Sequence, residues 1–174
     1  MNQDNFVISM LVRNEAGVLT RVSGLFARRA FNIDTLSVGE TEDPKISRIT
    51  ITAKGDDYIK EQIIRQLDKL HDVLKTELLS KESIVMREML LIKLNISQEA
   101  HKDIMQAVDI FRAKVVDLSS DSVTVEITGN SSKCAAFLDY LRRFGISEIC
   151  RTGVTAISRG SKTLTLGASV IDDE

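Results

Sequence analysis

The residues best placed to do chemistry in this 174-residue chain stand in one short turn, Asn14-Glu15-Ala16-Gly17. Before it lies an apolar run, Phe6 to Val12; after it comes a helical pattern, with Val18, Leu19, Val22, Leu25 and Phe26 spaced i, i+1, i+4, i+7, i+8. A helix that begins here offers N–H groups without intrahelical partners at the positive end of its dipole, an arrangement suited to a carboxylate or phosphate. Asn14 has a second reading as the N-cap of that helix, its side-chain oxygen accepting an N–H two or three residues on. Gly17 is harder to explain as a helical residue, since glycine there costs up to ~1 kcal/mol against alanine, and it suggests a close approach to the backbone. Glu15 reads as a first-turn acid favoured by the dipole, and Asn32, between helix and strand, reads on spacing alone as a residue that turns the chain.

The elements that must hold this turn alternate cleanly. Strands are predicted at Phe6–Val12, Ile33–Thr41, Ile46–Ala53 and Val73–Leu79, and helices from Gly17 to about Ala30 and from a start at Gly55-Asp56-Asp57, with Ile59, Ile63, Ile64, Leu67 and Leu70 as the core stripe. Glu42-Asp43-Pro44-Lys45 makes the hairpin turn between the second and third strands. The order βαββαβ is the ferredoxin-like arrangement, with both helices on one face of an antiparallel sheet. After the charged linker Lys81-Glu82-Ser83 the order returns: strand Met86–Leu94, helix Ser97–Phe111, hairpin Val115–Leu118 and Val123–Ile127, helix Lys133–Phe144 with Ala136, Phe137, Tyr140 and Leu141 inward, and a last strand region Ile146–Ile157. The expected fold is α+β, two ferredoxin-like units in tandem: residues 1–80, residues 81–160, and a loosely held Ser/Thr/Gly-rich tail at 161–174. Each half is expected to close its own core.

Apolar residues make up 43% of the chain, enough for a core, and the net charge of −2 with no basic block argues against nucleic acid or an anionic membrane as partner. No basic leader and no long apolar stretch is present in this sequence, so a soluble, cytoplasmic protein is expected. Cys134 and Cys150 read as buried reduced thiols, and His71 and His101 stand too far apart to suggest a metal site. There is no Gly-x-Ser-x-Gly, no phosphate-binding Gly-x-x-x-x-Gly-Lys-Ser/Thr and no dinucleotide fingerprint; Asp56-Asp57 read as first-turn helix acids, and Arg28-Arg29 and Arg142-Arg143 as solvated helix ends. A catalytic residue is therefore not expected; the chain should bind and transmit.

Asn14-Glu15-Ala16-Gly17-Val18-Leu19, Arg21-Val22, Gly24-Leu25-Phe26, Phe31-Asn32-Ile33 and Leu36-Ser37-Val38 closely resemble the amino-acid-binding ACT domain of the acetolactate synthase small regulatory subunits. Glu42-Asp43-Pro44 with Ser47-Arg48, Arg87-Glu88, Ile110-Phe111-Arg112, Gly153 and Ser158-Arg159-Gly160 extend the likeness along nearly the whole chain. One departure is Ala30, where the family often has glycine; a left-handed conformation there would bring roughly 1 kcal/mol of strain.

The resemblance implies a feedback sensor of branched-chain amino acid synthesis that pairs two ACT domains side by side. Valine would lie between the turn of one copy, with Asn14, Ala16, Gly17, Val18 and Leu19, and Asn32 with Ile33 of the other. The helix N–H groups would take its carboxylate, asparagine oxygens its ammonium, and Val18, Leu19 or Ile33 its isopropyl group. Each buried methylene is worth ~0.8 kcal/mol, so preference over alanine should be about tenfold or more. The resemblance further implies a separate catalytic large subunit carrying thiamine diphosphate, magnesium and FAD, with no cofactor in this chain. Two other readings remain: an ACT-type sensor serving another biosynthetic enzyme or a transcription factor, and an RNA-binding ferredoxin-like module. Against the last stands strand Ile46–Ala53, which lacks a stacking aromatic.

Overall fold

The computed structural model describes residues 4–96 and 98–166. The chain forms two compact units, one running to Val85 and taken up again from Val154, the other Met86–Gly153. The first contains β1 (Asp4–Arg13), α1 (Val18–Arg28), β2 (Ile33–Glu40), β3 (Ile46–Gly55), α2 (Asp57–Leu67) and β4 (Val73–Leu79), with sheet order β2-β3-β1-β4. All pairings are antiparallel; β1 lies centrally with Met10 opposite Ile49 and Thr76, and β2 is an edge strand paired only to β3 among the described residues. Alternate residues Phe6, Ile8, Met10 and Val12 turn to the helices and bury against Val22, Phe26, Ile63 and Leu67, as the period of two in a strand and 3.6 in a helix requires. This is the expected ferredoxin-like βαββαβ order.

The second unit repeats it with β5 (Ile84–Asn95, its first two residues in the first unit), α3 (Gln98–Phe111), β6 (Lys114–Leu118), β7 (Ser122–Gly129), α4 (Ser131–Leu141) and β8 (Ile146–Arg151), sheet order β6-β7-β5-β8. Its core is Leu90, Ile92, Leu94, Ile104, Val125, Ile127, Phe137 and Leu141. Asn130 caps α4 through Oδ1 and Lys133 N at 2.9 Å. Ser97, the expected start of the third helix, lies outside the described residues. Ala136 is exposed rather than inward, and the helix gives way at Arg142–Phe144 to a 3-10 turn in which Arg143 stacks on Tyr140, its guanidinium carbon 4.1 Å from the ring centroid. Cys134 is buried as expected, and burial pushes its thiol pKa up; Cys150 is exposed, because it falls on an outward position of β8.

Both units end their first helix alike. Phe31 N donates to Phe26 O and Ala30 N to Ala27 O, at 3.0 and 3.1 Å; Ala113 N donates to Val108 O and Arg112 N to Asp109 O, at 2.8 and 3.1 Å. These pairs are Schellman closures, which need a left-handed residue, and Ala30 (φ 54°) and Arg112 (φ 51°) occupy it. Neither is glycine.

The boundaries at 81–160 and 161–174 do not coincide with the units. The chain from Val154 returns to the first unit and covers the sheet face turned away from the helices, where Val7, Leu11 and Leu79 need burial as well. Val154, Ala156 and Leu164 are themselves buried, respectively just before, within and after β9 (Thr155–Ser158). Hydrogen bonds tie this strap down: Val154 N to Thr35 Oγ1 at 3.3 Å, Ser158 Oγ to Glu77 Oε1 at 3.3 Å, and Lys75 Nζ to Thr165 O at 2.8 Å. Lys162 Nζ also pairs with Glu77 Oε1, at 2.6 Å. The segment through Leu166 is thus packed rather than loose, and the first half does not close its core alone. Residues 167–174 of the expected tail lie outside the described residues.

Candidate functional site

Helix α1 starts at Val18, one residue later than the pattern suggests, and Gly17 is its N-cap residue, left-handed at φ 86°. Glycine stands there because an L side chain would be strained at that φ, so the turn's own geometry accounts for it. Asn14 is not the cap. Its backbone N donates to Lys45 O at 2.7 Å, and its Nδ2 to Glu40 Oε1 at 3.1 Å and Pro44 O at 2.9 Å, which pins the turn to the β2–β3 hairpin. Glu15 precedes the helix rather than joining its first turn, and its carbonyl accepts from Val18 N at 3.4 Å.

With no side-chain cap, the N–H groups of Leu19 and Thr20 meet no acceptor among the described residues. Asn14 Oδ1 likewise meets no donor among them. Around the exposed turn of Ala16 and Gly17 there are therefore donors at the positive helix end and an open carbonyl oxygen nearby. Val18 offers no side chain to a ligand, since it is 3% exposed in the core; Leu19, 44% exposed, stands free.

Two groups beside the turn went unread in the sequence. Arg21, a turn into α1, pairs through Nε with Asp72, and its Nη1 lies 3.1 Å from where a Cβ on Gly17 would stand. Glu40 comes alongside from the end of β2. Nothing local links residues 26 positions apart; the register Arg13↔Ile46 and Glu40↔Ser47 brings them together.

Asn32 and Ile33 are placed elsewhere. Asn32 is exposed, its Nδ2 donating to Asp34 Oδ1 at 3.1 Å, and Ile33 is half-buried against the core. Ile33 pairs with Ala53 at one end of the sheet and Glu40 with Ser47 at the other. Seven residues of strand at ~3.3 Å each separate these ends by about 23 Å, so one small molecule cannot touch both groups within one chain. Among the described residues no three His, Cys, Asp or Glu side chains gather as a metal site, and no helix is long and apolar enough to cross a membrane.

Residues 8–75 match the AHAS small subunit-like ACT domain, and residues 87–160 the model described as the small subunit of acetolactate synthase. A probable acetolactate synthase small subunit of Methanothermobacter thermautotrophicus is 50% identical over 165 residues, 94% of this chain and 98% of that one. The chain belongs to the acetolactate synthase small-subunit family. Another member, from Mycolicibacterium smegmatis, is 45% identical over 89% of this chain and 91% of its own length. The crystal structure of the acetolactate synthase small subunit from Thermotoga maritima superposes with a TM-score of 0.86 at 43% identity, covering 91% of this chain and 99% of that one. The first βαββαβ unit is thus the family's ACT domain, and the second carries its small-subunit region.

Proposed function

We propose that this chain is the regulatory subunit of an acetolactate synthase: it activates a separate catalytic large subunit and confers feedback inhibition by valine. What supports the reading is the pair of open N–H groups at Leu19 and Thr20 beside the free Asn14 oxygen, on the ACT domain of a small-subunit family member. A valine carboxylate would take the N–H groups, its ammonium would go to Asn14 Oδ1 and the Glu40 carboxylate, and Leu19 would meet its isopropyl group. Arg21 adds positive charge on the carboxylate side.

The partner half of the site would come from a second copy. Edge strand β2 pairs only with β3 among the described residues, and two copies joined antiparallel along its other side would set Asn32 and Ile33 of one beside Asn14 and Glu40 of the other. Valine at that seam would bias the pair toward one arrangement, and its differential affinity for the two arrangements would be the coupling free energy felt by the catalytic chain. The chain itself would carry no catalysis; thiamine diphosphate, magnesium and FAD would belong to the large subunit, in the cytoplasm.

Calorimetry with valine, leucine and isoleucine, together with an acetolactate-forming assay of the large subunit with and without this chain, tests the reading. Expected are valine binding, stimulation on mixing, and loss of that stimulation as valine is added. A different enzyme recovered with the chain from cell extract, with no effect on the large subunit, would overturn it.

A further inference from the structure

On the far side of the first sheet a cavity of about 430 Å³ opens between the β2–β3 hairpin and the returning strap. None of the residues assigned to the strand–helix turn or to Asn32 and Ile33 lines it. Its volume falls in the range of small-molecule sites, ~300–1,000 Å³. Leu11 and Ile46 form its apolar floor, Ile157 and Leu164 its cover, and the cover is fastened by Lys162 and Ser158 to Glu77 and by Lys75 to Thr165.

The polar lining is of both signs. Arg48 enters from β3 opposite Leu11, and among the described residues its one hydrogen bond runs from Nε to the buried Ser9 Oγ, at 2.8 Å. Among the described residues no carboxylate is hydrogen-bonded to this guanidinium, and partial burial lowers its pKa, with Glu77 acting against that from a distance. Lys162, by contrast, is already paired with Glu77. A partly buried guanidinium with free N–H groups in the lining of a cavity with an apolar floor is suited to a bidentate carboxylate. Glu42 and Asp43 stand on the hairpin wall. They would repel a phosphate or a dicarboxylate and attract an ammonium.

We propose that this pocket is a second, intrachain site for an aliphatic α-amino acid, its carboxylate on Arg48, its ammonium toward Glu42 and Asp43, and its side chain on Leu11, Ile46 and Leu164. The site needs one copy of the chain and is independent of the valine reading. The hairpin is common ground between the two: Asn14 holds it through Glu40 and Pro44 on one side, and Glu42 and Asp43 line the pocket on the other.

Equilibrium dialysis of the full chain with labelled L-leucine tests the proposal, using wild type, Arg48→Gln, Ile157→Trp and Asn32→Ala. Ile157 is 54% exposed, so tryptophan there fills the pocket without disturbing a buried partner, and it keeps the test alive if Arg48→Gln fails to fold. Leucine should bind wild type and Asn32→Ala, and at least ~tenfold more weakly the other two, the loss expected when a charged hydrogen bond or its room is removed. 4-Methylpentanoate, which lacks the ammonium, should bind at least ~tenfold more weakly than leucine. Unchanged leucine binding by folded Arg48→Gln and Ile157→Trp would overturn the site, and equal binding of 4-methylpentanoate would overturn its zwitterion preference. Failure of Asn32→Ala to alter valine binding would count against the interface reading alone.

Discussion

Replacing Ala30 by glycine should stabilise the protein, although it removes a methyl group and lengthens no contact. Ala30 sits at φ 54°, exposed, at the closing position of the α1 Schellman turn, with both capping hydrogen bonds made by backbone. Left-handed backbone costs a non-glycine residue roughly 1–2 kcal/mol, while glycine widens the unfolded ensemble by about 0.4–1 kcal/mol. Taken at the middle of both ranges, the difference is a net gain of about 0.8 kcal/mol. For a chain of this size that corresponds to a rise in Tm of roughly 1–4 °C. The same substitution at Ala27, exposed but inside the helix, should lower stability by about 1 kcal/mol, because there glycine only adds entropy to the unfolded state. Thermal and urea unfolding followed by circular dichroism reads both variants. A fall in stability for Ala30→Gly, or the same sign for the two, would refute the strain argument. Arg112→Gly provides an internal repeat in the second unit, at φ 51°.

Other outcomes follow from the same structure. Gly17→Asp should abolish the valine response by placing a carboxylate over the open N–H groups; at φ 86° it should also cost about 1–2 kcal/mol. Gly17→Asn, better tolerated there and uncharged, should retain part of the response in the inhibition assay if charge rather than strain is the cause. Asn32→Ala should weaken valine binding with Tm near wild type, since among the described residues its one side-chain hydrogen bond is to exposed Asp34; a large loss of Tm with unchanged affinity would make it a turn residue only. Truncation after Gly153 should cost about 3–6 kcal/mol from the lost burial of Val154 and Leu164 alone, so that fragment 1–80 should melt well below the full chain. In native protein a thiol reagent should modify Cys150 at once and Cys134 only on unfolding, because burial both shields that thiol and raises its pKa.

Much of the architecture could be read from periodicity, because each helix packs one face on one sheet: Val22, Phe26, Ile63 and Leu67 stand at helical spacing and all are buried. The strap was not legible by that route. Its few apolar residues, Val154, Ala156 and Leu164, are spread among serine, threonine and lysine, and its ties are long-range hydrogen bonds. A signal was nevertheless present in β1, where Phe6 to Val12 is apolar nearly without alternation, the mark of a strand covered on both faces. The candidate site was half legible. Asn14 and Gly17 stand at the turn, but their local roles differ from the capping and close-approach roles that spacing suggested, because Asn14 is drawn to the hairpin and Gly17 serves a left-handed backbone. Arg21 and Glu40 depend on strand register and on the fold of Asp72 against α1, which no local pattern encodes.

The returning strap also bears on how the chain is made. Residues 86–153 intervene between the first unit's β4 and its cover, and at ~5–20 residues per second a ribosome takes roughly 3–14 s to pass from Val85 to Val154. During that interval Val7, Leu11 and Leu79 have emerged without their partners, while the second unit can complete itself uninterrupted. The unit translated first is therefore finished last, and the nascent chain carries an uncovered apolar sheet face until Val154 to Leu164 leave the exit tunnel.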